Sequence, residues 1–229
     1  MRTAICKRWF GENRSSAWSP KCELVLHVSD DGYLREVGGD HAATVGASRV
    51  DVRGRRIVQR QIDIRADQPG WLSGALAHEL THVVLADEFV GEELPLWADE
   101  GMAVLADPEV KQLLHLRDLK EASRRGLAPR LAELLADGFA PGPKQIPAFY
   151  GQSFSLVRFL VNRKTPADFL RFLHLAGKTG YDAALRDCYE LGGVADLERR
   201  WRQSASFGHC CRTFTSPISA SASTCKRPP

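Results

Sequence analysis

No apolar run in this chain of 229 residues approaches the roughly 20 residues that a membrane-spanning helix needs. The N-terminus, MRTAICKRWFGENRSSAWSP, carries basic residues but lacks the apolar core of a secretory signal. It reads as the start of an intracellular protein, cytoplasmic by expectation, or as a chain whose signal is missing. An excess of one charge is lacking as well: 31 Lys+Arg stand against 28 Asp+Glu, and a formal net charge of +3 is too mild to imply a nucleic-acid or membrane partner. Cysteine is sparse, and 6 in a chain of this length do not make a disulfide scaffold. Cys6, Cys22 and Cys188 lie far apart and read as free thiols. No internal repeat is evident. What remains is ordinary globular composition, 44% hydrophobic and 26% charged, with length enough to bury a core.

The chain divides into three parts: an N-terminal extension over 1–20, one domain over 21–204, and a flexible Ser- and Cys-rich tail over 205–229. In the tail, Ser, Thr, Ala and Pro dominate, which leaves little apolar area to bury. His209, Cys210, Cys211 and Cys225 could capture a metal there, but their spacing fits no zinc-finger pattern, and a loose tail with incidental thiols is the plainer reading. Strand character comes first in the domain, at Cys22–Ser29, Ala47–Val52 and Arg56–Arg65, with a turn at Asp30–Gly32. The alternation in Arg56–Arg65 suggests an antiparallel hairpin with one wet side. Arginines 49, 53, 55, 56 and 60 cluster on it and read as a solvated face. From Trp71 onward the pattern is helical, with breaks marked by Pro and Gly. Helices are expected from Trp71 to Ala86 and at Leu96–Ala106, Val110–Arg124, Arg130–Ala136, Ala148–Arg163, Pro166–Gly177, Tyr181–Glu190 and Val194–Ser204. The fold class is therefore α+β: a small, mostly antiparallel β lobe followed by an α-helical lobe in a single domain.

The segment Ala77-His78-Glu79-Leu80-Thr81-His82-Val83 contains H-E-x-x-H inside an expected helix. Residues four apart differ by about 40° around a helix axis and about 6 Å along it, so His78 and His82 can grip one ion. Glu79 can then reach a metal-bound water without ligating the metal. A catalytic zinc takes three protein ligands and keeps a fourth position open. Downstream, Glu100 opens the next apolar helix, where its carboxylate can turn back toward the first. Asp99 is the nearest acid to support a ligand histidine, whereas Asp87, Glu88, Glu92 and Glu93 read as a solvated loop. His27, His41, His115 and His174 lack partners at ligand spacing and read as structural or surface groups.

H-E-L-T-H followed by Trp97-x-x-Glu100-Gly101-x-Ala103 resembles the gluzincin metallopeptidases, in particular peptidase MA-like domains. The likeness covers about Lys21 to Trp201 and is strongest over His78–Ala106. It implies a zincin-like fold with the active-site helix between the two lobes. It also implies one zinc ion held by His78, His82 and Glu100, with Glu79 as general base. Tyr150, in Phe149-Tyr150-Gly151-Gln152-Ser153, matches a tyrosine that commonly donates to the developing oxyanion, although it would equally suit a packing role at a helix start. The strand Arg56–Arg65 resembles the edge strand that pairs with extended peptide in such enzymes. Seventeen residues separate His82 from Glu100, one fewer than in the aminopeptidases of this group, and no G-x-M-E-N segment precedes His78. An endopeptidase acting on a peptide or protein is therefore expected. The alternatives are a catalytically silent, zinc-stabilised peptide- or protein-binding module, and an arginine-rich nucleic-acid-associated protein.

Overall fold

Three strands form the sheet of the computed structural model, which describes residues 1–11, 17–41 and 44–206. They are β1 (Cys22–His27), β2 (Gly46–Arg53) and β3 (Arg56–Arg65), in the spatial order β1-β3-β2. The turn at Arg53–Arg56 makes β2 and β3 an antiparallel hairpin, while β1 runs parallel to β3. The sheet is mixed because helix α2 (Asp30–Val37) carries the chain away from the end of β1. Central β3 is hydrogen-bonded on both sides, so it is not the edge expected from sequence. Among the described residues the edge strands are β1 and β2.

Helix α2 occupies the place where a turn was expected. Ser29 caps it, accepting a hydrogen bond from the Gly32 N–H at 3.2 Å, and Asp30 and Asp31 sit favourably in its first turn. It packs on β3 from the face that was expected to be wet. Asp63, 4% exposed, and Gln61, 5% exposed, are buried beneath it and must be partnered. Asp63 meets His27 Nε2 at 2.8 Å and accepts from Gln61 Nε2 at 2.9 Å. Arg49 donates to Gln61 at 3.1 Å. The opposite face carries Ile62 and Ile64, packed against Val83 of helix α3 (Ala75–Glu88).

The helical lobe contains α4 (Leu96–Val104), α5 (Glu109–Arg124), α6 (Leu131–Leu134), α7 (Ile146–Arg163), α8 (Pro166–Thr179), α9 (Tyr181–Tyr189) and α10 (Val194–Ser206). Its centre is α7, which packs against both α4 and α5. Two glycines permit that approach. A Cβ on Gly101 of α4 would stand 2.5 Å from the Ser153 carbonyl oxygen, and one on Gly151 of α7 would stand 2.1 Å from the His115 carbonyl oxygen. Trp97, buried on α4, donates from Nε1 to the Tyr181 hydroxyl at 3.0 Å and so ties α4 to α9. Helix α8 starts on a capping box in which Thr165 and Asp168 satisfy each other's backbone N–H groups.

The first residues belong to this core. Helix α1 (Arg2–Phe10) buries Ile5, Cys6 and Trp9, which the helical repeat puts on one side. Trp9 lies against Phe169 with ring centroids 6.3 Å apart, and α1 touches α3 and α8. Residues 2–10 of the segment expected as an extension thus pack on the helical lobe. Basic residues interleaved with a short apolar stripe concealed it. Helix α3 begins at Ala75 rather than near Trp71, since residues 66–74 form successive turns with Gly70 at φ +76°. Three of the four acids expected in a solvated loop are also used. Asp87 accepts from Trp18 Nε1 and pairs with Arg60, and His174 sits between Glu92 at 2.6 Å and Glu88 at 3.1 Å. The tail with His209, Cys210, Cys211 and Cys225 lies outside the described residues. No helix among the described residues is long and apolar enough to cross a membrane.

Candidate metal centre

Helix α3 carries the H-E-x-x-H residues and lies between the sheet and the helical lobe. Its sheet side contributes Val83, and its other side contributes Val84 and Leu85 to the main core. With both flanks buried, the helix has little rotational freedom. His78 and His82 stand one turn apart, with ring centroids 5.0 Å apart and planes at 71°. Glu100, on the first turns of α4, faces them. Its Oε2 lies 3.5 Å from His78 Nε2 and 3.8 Å from His82 Nε2. The three groups offer ligand atoms that all lie within 4.8 Å of one another. Tetrahedral ligands at about 2.0–2.1 Å from a zinc ion would stand about 3.4 Å apart. Glu100 Oε2 is buried and has no hydrogen-bond partner among the described residues, an arrangement that is costly unless a cation completes it. Two imidazoles and a carboxylate suit a borderline metal ion. The residues therefore fit a metal ion.

Each imidazole is backed by an acid on its far nitrogen. His82 Nδ1 lies 2.8 Å from Asp99 Oδ1, an ionic contact off the line of a hydrogen bond. His78 Nδ1 lies 3.3 Å from Asp107 Oδ2. Asp107 follows α4, and its fully covered side chain is held from α5 by Lys111 Nζ at 3.0 Å. Such outer contacts fix ring orientation and raise ligand basicity. Burial opposes charge on His82, but Asp99, Glu100 and Glu79 outweigh it and raise its pKa to about 10. Burial likewise opposes charge on His78, and its contacts with Asp107 and Glu100 outweigh that, so its pKa is raised. Burial would push Glu100 up, yet the two imidazoles hold it below the usual carboxylate range. The cluster is thus an acid-rich cage arranged to attract a cation.

Glu79, one position after His78, points to the sheet instead. Its Oε2 accepts a hydrogen bond from Ser48 Oγ of β2 at 2.8 Å. Tyr150, on α7, lies on the other flank. Burial, then the charges of Glu100, Glu79 and Asp107, push its phenol up, so its ring is within electrostatic reach of all three. The Tyr150 ring stacks on His115 of α5 with centroids 5.4 Å apart. The pKa of His115 is lowered by burial and by Lys111, and its buried Nε2 has no hydrogen-bond partner among the described residues.

The fold therefore brings His78, Glu79, His82, Glu100 and Tyr150 together, with Asp99 where sequence spacing put it. Sequence reasoning missed Asp107, Ser48 and His115. Asp107 sits in an Asp-Pro step that reads as a helix break, and Ser48 sits in a strand with no motif around it. His115 becomes a neighbour only through the Gly151 contact between α5 and α7.

No curated protein and no solved structure matches the chain. A family model, that of the peptidase MA superfamily, matches residues 55–206. That span runs from the turn of the hairpin through α10 and includes both helices, α3 and α4, that carry the candidate ligands. It takes in more than half of the chain's 229 residues, and the chain belongs to the peptidase MA superfamily.

Proposed function

We propose that this chain is a zinc-dependent peptidase, an endopeptidase, in which His78, His82 and Glu100 hold one zinc ion and Glu79 is the general base. The observation that carries this reading is the convergence of three candidate ligand atoms within 4.8 Å beside a glutamate whose carboxylate is turned to Ser48. When bound, the ion would polarise the scissile carbonyl and make a water molecule acidic enough to lose a proton near neutral pH. Glu79 would receive that proton on its carboxylate and return it to the leaving amine. Tyr150 remains a neutral phenol at physiological pH because its pKa is raised, so it keeps a proton to donate to developing negative charge. The open edge of β2, next to Glu79, would take an extended substrate as an added strand, which gives affinity through the backbone and little sequence selectivity. The family span and the burial of α1 favour a catalytic unit that includes residues 2–206.

The nucleic-acid reading loses support because two of the five hairpin arginines are engaged: Arg49 on Gln61 and Arg60 on Asp87 and the Pro20 carbonyl. Metal analysis and a peptide-library assay test the proposal together. The expected result is about one zinc per chain, lost in His78→Ala, with cleavage by the wild type that Glu79→Gln abolishes. Zinc bound without cleavage by either protein would favour a binding module. Zinc below about a tenth of an equivalent would overturn the metal centre.

A further inference from the structure

We infer that Ser48 is a positioning residue for Glu79, so that strand β2 rather than the metal ligands orients the candidate base; this rests on the peptidase reading above. Glu79 and His78 are neighbours on α3, yet their side chains diverge, and the nearest polar group to the Glu79 carboxylate that donates to it is on the sheet. Ser48 Oγ donates to Glu79 Oε2 at 2.8 Å. The terminal torsion of a glutamate is broad, so a carboxylate without a donor turns freely between orientations. One fixed oxygen removes that freedom and leaves Oε1 as the oxygen free to move a proton.

Gly46 completes the seat. Residues two apart on a strand face the same way, so Gly46 and Ser48 both look onto α3. A Cβ at Gly46 would stand 2.8 Å from Glu79 Cγ, 3.0 Å from Oε1 and 2.9 Å from Ile64 Cδ1. The backbone there is not in the left-handed region, so glycine is demanded by space alone. Gly46 pairs with Ile64 and Ser48 with Ile62 across the hairpin, and both isoleucines are buried against α3. The seat is therefore as rigid as the packing between sheet and helix. A base displaced by an ångström can lose about a hundredfold in rate, so holding this carboxylate still has a kinetic consequence.

Crystal structures of the zinc-loaded wild type, Ser48→Ala and Ser48→Thr test the inference, alongside zinc content and peptide cleavage. In Ser48→Ala the Glu79 carboxylate is expected to turn or split between orientations, with zinc content unchanged. In Ser48→Thr, whose hydroxyl keeps the donor and suits a strand, it is expected to stay as in the wild type. Cleavage by Ser48→Ala should fall about tenfold in kcat with little change in KM, and Ser48→Thr should recover it to within about threefold. An unmoved carboxylate in Ser48→Ala would overturn the inference and leave the peptidase reading standing. A displaced carboxylate in a protein that cleaves nothing, or that cleaves as well with Glu79→Gln, would overturn the peptidase reading and leave the Ser48–Glu79 relationship intact.

Discussion

His78 Nδ1 faces Asp107 Oδ2 at 3.3 Å, although α4 lies between the two in the sequence. The contact aims the imidazole at Glu100 and makes it more basic. Asp107→Asn keeps the shape but removes the charge. Zinc affinity should drop about 10- to 100-fold, the range seen when a metal ligand's outer partner is lost. A competition titration against a chelating dye measures it. Unchanged affinity would show that Asp107 serves only Lys111 and the end of α4.

Proton exchange should accompany metal uptake. The pKa of His82 is raised to about 10, so in the metal-free protein this ring is protonated at neutral pH. A raised histidine pKa stabilises the metal-free fold fully below about pH 6.5, and that contribution is lost as pH rises through about 10. Zinc needs the neutral ring, so binding should release at least about one proton at pH 7 and tighten with rising pH. Calorimetry in buffers of different ionisation heat counts the protons. Zero release would contradict a charged His82 in the metal-free site.

Gly101→Ala should disturb the centre from behind. The added carbon would stand 2.5 Å from both the Ser153 carbonyl oxygen and Val157 Cγ2 on α7. Overpacking of this kind costs about 1–3 kcal/mol, which for a domain of this size lowers Tm by several degrees. Because Glu100 is the preceding residue, the shift of α4 should also weaken zinc binding. Thermal melts with and without zinc separate the two effects, and a protein that melts and binds as the wild type would refute the close contact.

Trp9→Ala tests whether the N-terminal helix is part of the folding unit. Trp9 is 2% exposed and packs on Phe169, so truncation should cost about 3–5 kcal/mol. Chemical denaturation reads this directly. A loss below about 0.5 kcal/mol, typical of a surface position, would return α1 to the status of an appendage.

Legibility differed between local and tertiary features. Helices α7 to α10 and the hairpin were readable because Pro166, Gly180 and the Gly192-Gly193 pair punctuate strong periodic runs. His78 and His82 were readable because residues four apart on a helix are neighbours whatever surrounds them, and Glu100 through the Trp97-x-x-Glu100-Gly101 segment that follows. Helix α2 left a local trace, a serine before two aspartates, but its Gly32 resembled a turn. Helix α1 left almost none, since its stripe is three residues in nine. The place of β3 in the centre of the sheet could not be read at all. Its alternation is compatible with an edge, and only the return of β1 alongside it decides the matter. Ser48 and Asp107 illustrate the same limit, because their partners lie about 30 positions away.

Helix α3 contributes to both apolar clusters, Val83 to the smaller and Val84 and Leu85 to the larger. The chemistry thus sits at a seam rather than inside either half. The metal-binding candidates span the joint between α3 and α4, and the candidate base is braced across the joint between α3 and β2. A slip at the first joint would dissolve the cage while sparing the base, and a slip at the second would disarm the base while sparing the cage. Substitutions far from the chemistry should therefore sort into two classes, according to which of these joints they loosen.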